Sequence, residues 1–148
     1  MKMIRFLLPA LLLIACSSDS VFKEYKKYEN LEWPLQDPAV FHYNNKTDSA
    51  THNVFLAFRY AQGFAFPKML VLVTQTSPDG DKTQIPLAFD VKKADGTYIG
   101  DASGDIYDIE SSIIKQLKMK KGDYTYSVSY IMPISKLPFV MEVGIIVR

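Results

Sequence analysis

Beyond Pro38 the apolar residues of this chain recur at every second position. Residues 39–43 (AVFHY), 53–60 (NVFLAFRY) and 69–76 (MLVLVTQT) are short runs rich in β-branched and aromatic side chains. Such side chains suit a pleated, half-buried strand. Across residues 124–132 (YTYSVSYIM) the alternation is clean. Tyr124, Tyr126, Val128, Tyr130 and Met132 share one side, and Thr125, Ser127 and Ser129 the other. That pattern predicts an antiparallel strand with one face covered. The closing FVMEVGIIVR reads as another strand.

Turn signals separate these runs: Pro78-Asp79-Gly80-Asp81, Ala94-Asp95-Gly96 and Lys121-Gly122-Asp123. Two segments depart from the two-residue period. In residues 108–118, Ile109, Ile113, Ile114 and Leu117 have helical spacing over a stretch short enough to be a strand. In residues 21–36, Val21, Phe22, Tyr25 and Tyr28 make either one helical stripe or an irregular arm, and Trp33-Pro34 ends any helix there. No internal repeat is visible, and nothing has the rhythm of alternating strands and helices. Many short strands with regular turns predict an all-β fold, an antiparallel β-sandwich of jelly-roll-like design.

The N-terminus follows other rules. Lys2 and Arg5 precede an apolar run from Phe6 to Ala15, too short to cross a bilayer as a helix and suited to a secretory signal. It ends in Leu13-Ile14-Ala15-Cys16, which resembles the bacterial lipobox. The expected organisation is a cleaved signal peptide over 1–15, a lipidated Cys16 with a short tether over 16–20, and one domain over 21–148. Cys16 is the only cysteine, so once it carries lipid no thiol remains for a disulfide. One acyl chain holds a protein on a membrane only marginally, whereas several make release negligible. Membrane attachment through this anchor is the first partner the sequence implies.

Charge excludes another class of partner. The net charge is +1, and cleavage before Cys16 removes Lys2 and Arg5 but no acid, leaving −1. There is no basic stripe for phosphates, so nucleic acid is not an expected partner. The densest carboxylate group is Asp101, Asp105, Asp108 and Glu110, set among Gly100 and Gly104. Its spacing does not match the alternating calcium loop. Glycines that permit unusual backbone angles, beside aspartates that bond nearby N–H groups, point instead to a sharp corner. His42 and His52 are the only histidines and have no cysteine to complete a zinc site. Ser103 lies in GDASG, which is not a nucleophile elbow. No cofactor or metal is expected, and no catalytic residue stands out.

One further set of residues carries a resemblance. After the lipobox come VFKEY, Trp33, SPDG behind a long apolar strand, GDIYD, and KGDYTYSVSYIM followed by VGIIVR. In that order they resemble the gliding-motility lipoprotein H family of the Bacteroidota, over nearly all of Val21 to Arg148. GDIYD is the most specific piece. Gly104, Asp105, Ile106, Tyr107 and Asp108 are therefore the candidate structural corner or interface. The resemblance implies a non-enzymatic cell-envelope lipoprotein that supports the gliding machinery and its associated type IX secretion system, with envelope proteins as partners. It brings no catalytic residue and no cofactor.

Within such a family further expectations follow. Only Asp19 is acidic just after the cysteine, which favours the periplasmic face of the outer membrane over surface export. Asp48-Ser49-Ala50 and Asp19-Ser20-Val21 resemble the Asp-Ser/Thr-apolar acceptor for O-glycosylation in this phylum, so Ser49 and Ser20 are candidate modification sites. The competing function is a glycan- or peptide-binding sandwich. It requires Tyr124, Tyr126 and Tyr130 to line an exposed sheet face, whereas the scaffold reading puts them in the core.

Overall fold

The computed structural model describes residues 20–148. Its strands are β1 (Phe22–Lys27), β2 (Glu32–Pro34), β3 (Ala39–Asn45), β4 (Ala50–Ala61), β5 (Lys68–Thr76), β6 (Lys82–Asp90), β7 (Asp101–Ser103), β8 (Ile106–Met119), β9 (Gly122–Tyr130), β10 (Lys136–Pro138) and β11 (Val140–Val147). One sheet has the order β1-β11-β4-β8-β7 and the other β3-β9-β5-β6; β2 and β10 form a separate two-stranded ribbon. The fold is all-β, an antiparallel sandwich.

Its topology is that of a jelly roll. The eight long strands pair in nested fashion, β1 with β11, β3 with β9, β4 with β8 and β5 with β6, as in one long antiparallel ribbon folded on itself. Pairing of β11 with β4 and of β9 with β5 then joins the ribbon into two sheets. Pro86 sits in β6, an edge strand, where a missing N–H costs no ladder bond.

The two inner faces meet in an aromatic core. Phe41, Phe58, Tyr60, Tyr126 and Tyr130 are all at most 2% exposed. Trp33 joins them from the β2–β10 ribbon. Its ring stacks on Tyr28 at 5.4 Å, meets the edge of Tyr130 at 5.2 Å, and its Nε1 donates to the Asp37 carbonyl at 3.0 Å. Burying this ring while satisfying its one donor is the arrangement large amphipathic aromatics require.

Residues 108–118 are not a helical turn. They lie inside β8, whose pairing with β4 slips twice between His52 and Phe55. The slip places Ser112 opposite Phe55 and Ile114 opposite Val54, so Ile113 is an extra residue and both isoleucines are partly buried. A bulge therefore produced the spacing that mimics a helix. Residues 21–36 hold neither a helical stripe nor an irregular arm. They form β1, a 3-10 turn at Glu29–Leu31 and β2. Phe22 faces the core opposite Val147, while Tyr25 lies over Gly144 on the outer face.

Candidate functional site

The GDIYD run is a hairpin tip followed by the start of a strand. Ser103 pairs with Ile106, so Gly104 and Asp105 are the two turn residues, with Gly104 at φ 61°. Positive φ at the first turn position is what two-residue hairpins demand, and glycine meets it without strain. The Gln62 N–H donates to the Asp105 carbonyl at 2.7 Å, which ties the tip to the end of β4.

Beyond the turn the side chains alternate. Tyr107 points inward and packs on Tyr60 at 5.4 Å and Tyr98 at 4.9 Å. The Tyr60 hydroxyl lies within hydrogen-bond reach of the Val91 and Ile99 carbonyls, anchoring the loop between β6 and β7. Asp108 points outward. Its carboxylate takes two bonds from Arg59, Nε to Oδ1 at 2.8 Å and Nη2 to Oδ2 at 3.1 Å. The third Arg59 nitrogen donates to Glu142 Oε2 at 3.0 Å, and Lys27 lies 3.6 Å from the same carboxylate. One ionic ladder thus crosses β1, β11, β4 and β8.

Around this ladder the outer face of the five-stranded sheet has a small apolar centre. Ala57 pairs with Gly144, and Tyr25 covers the glycine. A recess of about 200 Å³ opens beside them, bordered by Lys23, Tyr25, Arg59 and Asp101, and it adjoins a second of about 360 Å³ under Ile99 and Gly100. At the far side Arg148 bonds Glu110 at 2.7 Å and lies 4.9 Å over the Phe55 ring.

Chemically this face is a set of matched charges. The hydrogen bond to Asp108 raises the Arg59 pKa above its already high value, and nearby Asp108, Glu142 and Tyr25 push the same way. A permanently charged guanidinium cannot shuttle protons. Asp108 and Glu110 are both occupied by arginines. Among the described residues no group of three His, Cys, Asp or Glu side chains is placed to hold a metal ion. The arrangement is suited to recognition by shape and charge.

The other candidates are dispersed. His42 is exposed on β3 with Nδ1 3.2 Å from Thr125 Oγ1, whereas His52 is buried on β4 in the opposite sheet. Ser103 lies in the exposed β7. Tyr124, Tyr126 and Tyr130 are 4%, 0% and 2% exposed and form core, so they line no outward binding surface. Ser49 is exposed at the turn between β3 and β4, with φ 59°. Ser20 is the first described residue and is half-buried. Cys16 and the signal segment 1–15 lie outside the described residues.

Arg59 and Glu142 were not singled out from the sequence. Their signal was faint: a lone arginine within NVFLAFRY and a lone acid within VMEVGIIV, each a charge inside an apolar strand. A charge at that position has to find a partner on the same face.

The GldH lipoprotein family model matches residues 20–147. The chain belongs to the GldH lipoprotein family. A curated relative, the gliding motility lipoprotein GldH of Flavobacterium johnsoniae, is 26% identical over 114 residues, covering 77% of this chain and 71% of that protein. Two solved structures are also similar. The exo-β-1,3-galactanase of Phanerochaete chrysosporium aligns at TM-score 0.36 and 12% identity, over 86% of this chain and 30% of the enzyme. The infectious bursal disease virus VP2 subviral particle aligns at TM-score 0.30 and 8% identity, over 95% of this chain and 36% of that one. The chain therefore spans about a third of either structure's length, and likenesses this distant bear on no functional question.

Proposed function

We propose that this GldH-family protein is a non-enzymatic lipoprotein of the cell envelope that supports gliding-motility and type IX secretion machinery as an assembly or stabilising component. The observation that carries the reading is the family match across residues 20–147. The geometry agrees with it. The outer face of the five-stranded sheet holds paired charges around a small apolar recess, and its acidic groups are held by arginines rather than aimed at a common reacting point. Rigid, mutually compensated charges serve recognition by complementarity more than turnover.

In this reading Cys16 carries the lipid anchor, the domain faces the periplasm from the outer membrane, and Ser49 accepts an O-linked glycan. Its exposed turn would admit a modifying enzyme without disturbing the core. Ser20, so close to the bilayer, is the poorer acceptor of the two. Mass spectrometry of native protein decides the point: an unmodified Ser49 peptide removes the proposal.

The assembly role is tested by crosslinking in the native host, followed by affinity purification of wild type and of Arg59→Glu. Defined envelope proteins should be recovered with wild type and depleted with the variant. Recovery of the lipoprotein alone from crosslinked cells would overturn the reading.

A further inference from the structure

We propose that the end of the sandwich from which β1 emerges is a docking surface for a bilayer bearing anionic phospholipid headgroups, so that the anchored domain stands upright in one orientation. This rests on the lipid-anchor reading of Cys16. Only residues 17–19 separate that cysteine from Ser20, where the described structure begins. Four extended residues reach about 14 Å at most. Whichever end of the domain carries Ser20 is therefore held against the headgroups, and its chemistry has to suit them.

That end is where the lysines gather, a local basic patch that the near-zero net charge concealed. KQLKMKK, residues 115–121, places four lysines in seven positions at the end of β8 and the turn into β9. Tertiary contacts bring two other segments to the same place. Thr51 pairs with Lys118 and Asn45 Nδ2 donates to the Lys120 carbonyl, which sets the Lys46 loop beside the run. Arg148 exchanges backbone bonds with Asn53 at 2.7 and 2.9 Å, and Asn53 in turn receives the Gln116 N–H.

Most of this positive charge is uncommitted. Lys120 is paired with Asp79 and Arg148 with Glu110. Among the described residues, Lys46, Lys115, Lys118 and Lys121 are exposed and take part in no ion pair. The acids nearby are Asp48, Asp79, Asp81 and Asp123, of which Asp48 already accepts the Lys121 N–H and Asp123 the Asn44 amide. Beside Lys46, a recess of about 200 Å³ runs between Val21, Asn44, Thr47 and His52, and Val21 is 58% exposed. An exposed apolar residue beside Lys46, on the same end as the lysine run, is the composition of a surface that meets a headgroup layer.

The opposite end lacks this excess of positive charge. Asp90, Asp95, Asp101 and Asp105 lie around the β6–β7 connection and the β7–β8 turn, far along the strands from the lysine run, and Lys68, which pairs with Asp90, together with Lys92 and Lys93 nearly balances them. An anionic bilayer therefore favours the lysine end over the other. The outer face of the five-stranded sheet is then left standing sideways, clear of the membrane.

The test uses the full, lipidated chain in vesicles of phosphatidylcholine with or without phosphatidylglycerol. Thr47→Cys or Ala94→Cys carries a fluorescent label, read by its quenching from headgroup-labelled lipid. Quenching at position 47 should rise several-fold with phosphatidylglycerol and fall with added salt, and position 94 should stay unquenched. Adding Lys118→Glu and Lys121→Glu should abolish the lipid-composition dependence while the protein remains in the vesicle fraction. Equal quenching at both positions, or quenching at 47 that ignores phosphatidylglycerol, overturns the docking surface while leaving the anchor standing. An N-terminal peptide without acyl chains would sink the anchor and the docking surface together.

Discussion

Arg59 and Asp108 face each other across β4 and β8, and the guanidinium grips the carboxylate through two parallel bonds of 2.8 and 3.1 Å. The same guanidinium also bonds Glu142, so one side chain ties three strands together. Fork-to-fork geometry fixes direction as well as distance.

Both partners of the pair are about two-fifths exposed, which keeps its contribution modest. A double-mutant cycle between Arg59→Met and Asp108→Asn should report coupling of about 0.5–1 kcal/mol by urea denaturation. Arg59→Met alone should cost more than Asp108→Asn alone, because it also leaves Glu142, which is only 12% exposed, with the more distant Lys27 as its remaining cation. The reverse ranking would contradict the ladder.

Gly144→Ala should destabilise the domain by about 1–3 kcal/mol, as overpacking does in a close-packed site. A Cβ there would lie 2.4 Å from Tyr25 Cδ1 and 2.7 Å from the Glu24 carbonyl oxygen. Combining it with Tyr25→Ala should recover only part of the loss, since the backbone contact remains. Full recovery in thermal melts would show that the ring alone sets the requirement.

Alkaline pH should unfold the protein. Burial pushes the Tyr60 phenol from its ordinary 10 up to about 12, and burial likewise raises Tyr28 and Tyr126. Each holds its proton more tightly in the fold than in the unfolded chain. The associated stability is thus fully present below pH 10 and is lost as pH rises through the folded-state values. Phenolate absorbance from these buried tyrosines should develop together with loss of circular dichroism. Complete phenolate formation with the fold intact would refute this.

Cys16→Ser should accumulate as an uncleaved precursor that takes up no labelled palmitate, because Cys16 carries the only thiol in the chain. Palmitate labelling of the variant would end the lipid-anchor reading.

What the sequence determined by itself was local. The two-residue alternation of Tyr124, Tyr126, Val128 and Tyr130 specified which side of β9 is core, because a strand sends successive side chains to opposite faces and only one face could be covered. Glycine at 104 marked a turn for a similar reason: the backbone angle is a property of the residue itself. The short apolar runs and the turns between them were enough for an all-β sandwich. Pairing was another matter. β1 lies beside β11 at the far end of the chain, and the Arg59 ladder draws on β4, β8 and β11, so no local window contains the partners. Bulges in β8 disguised its period, and the four lysines of residues 115–121 met Lys46 and Arg148 only through the closing of nested pairs. Burial and charge compensation depend on which strands become neighbours. Long-range pairing decides that, and it belongs to the tertiary structure alone.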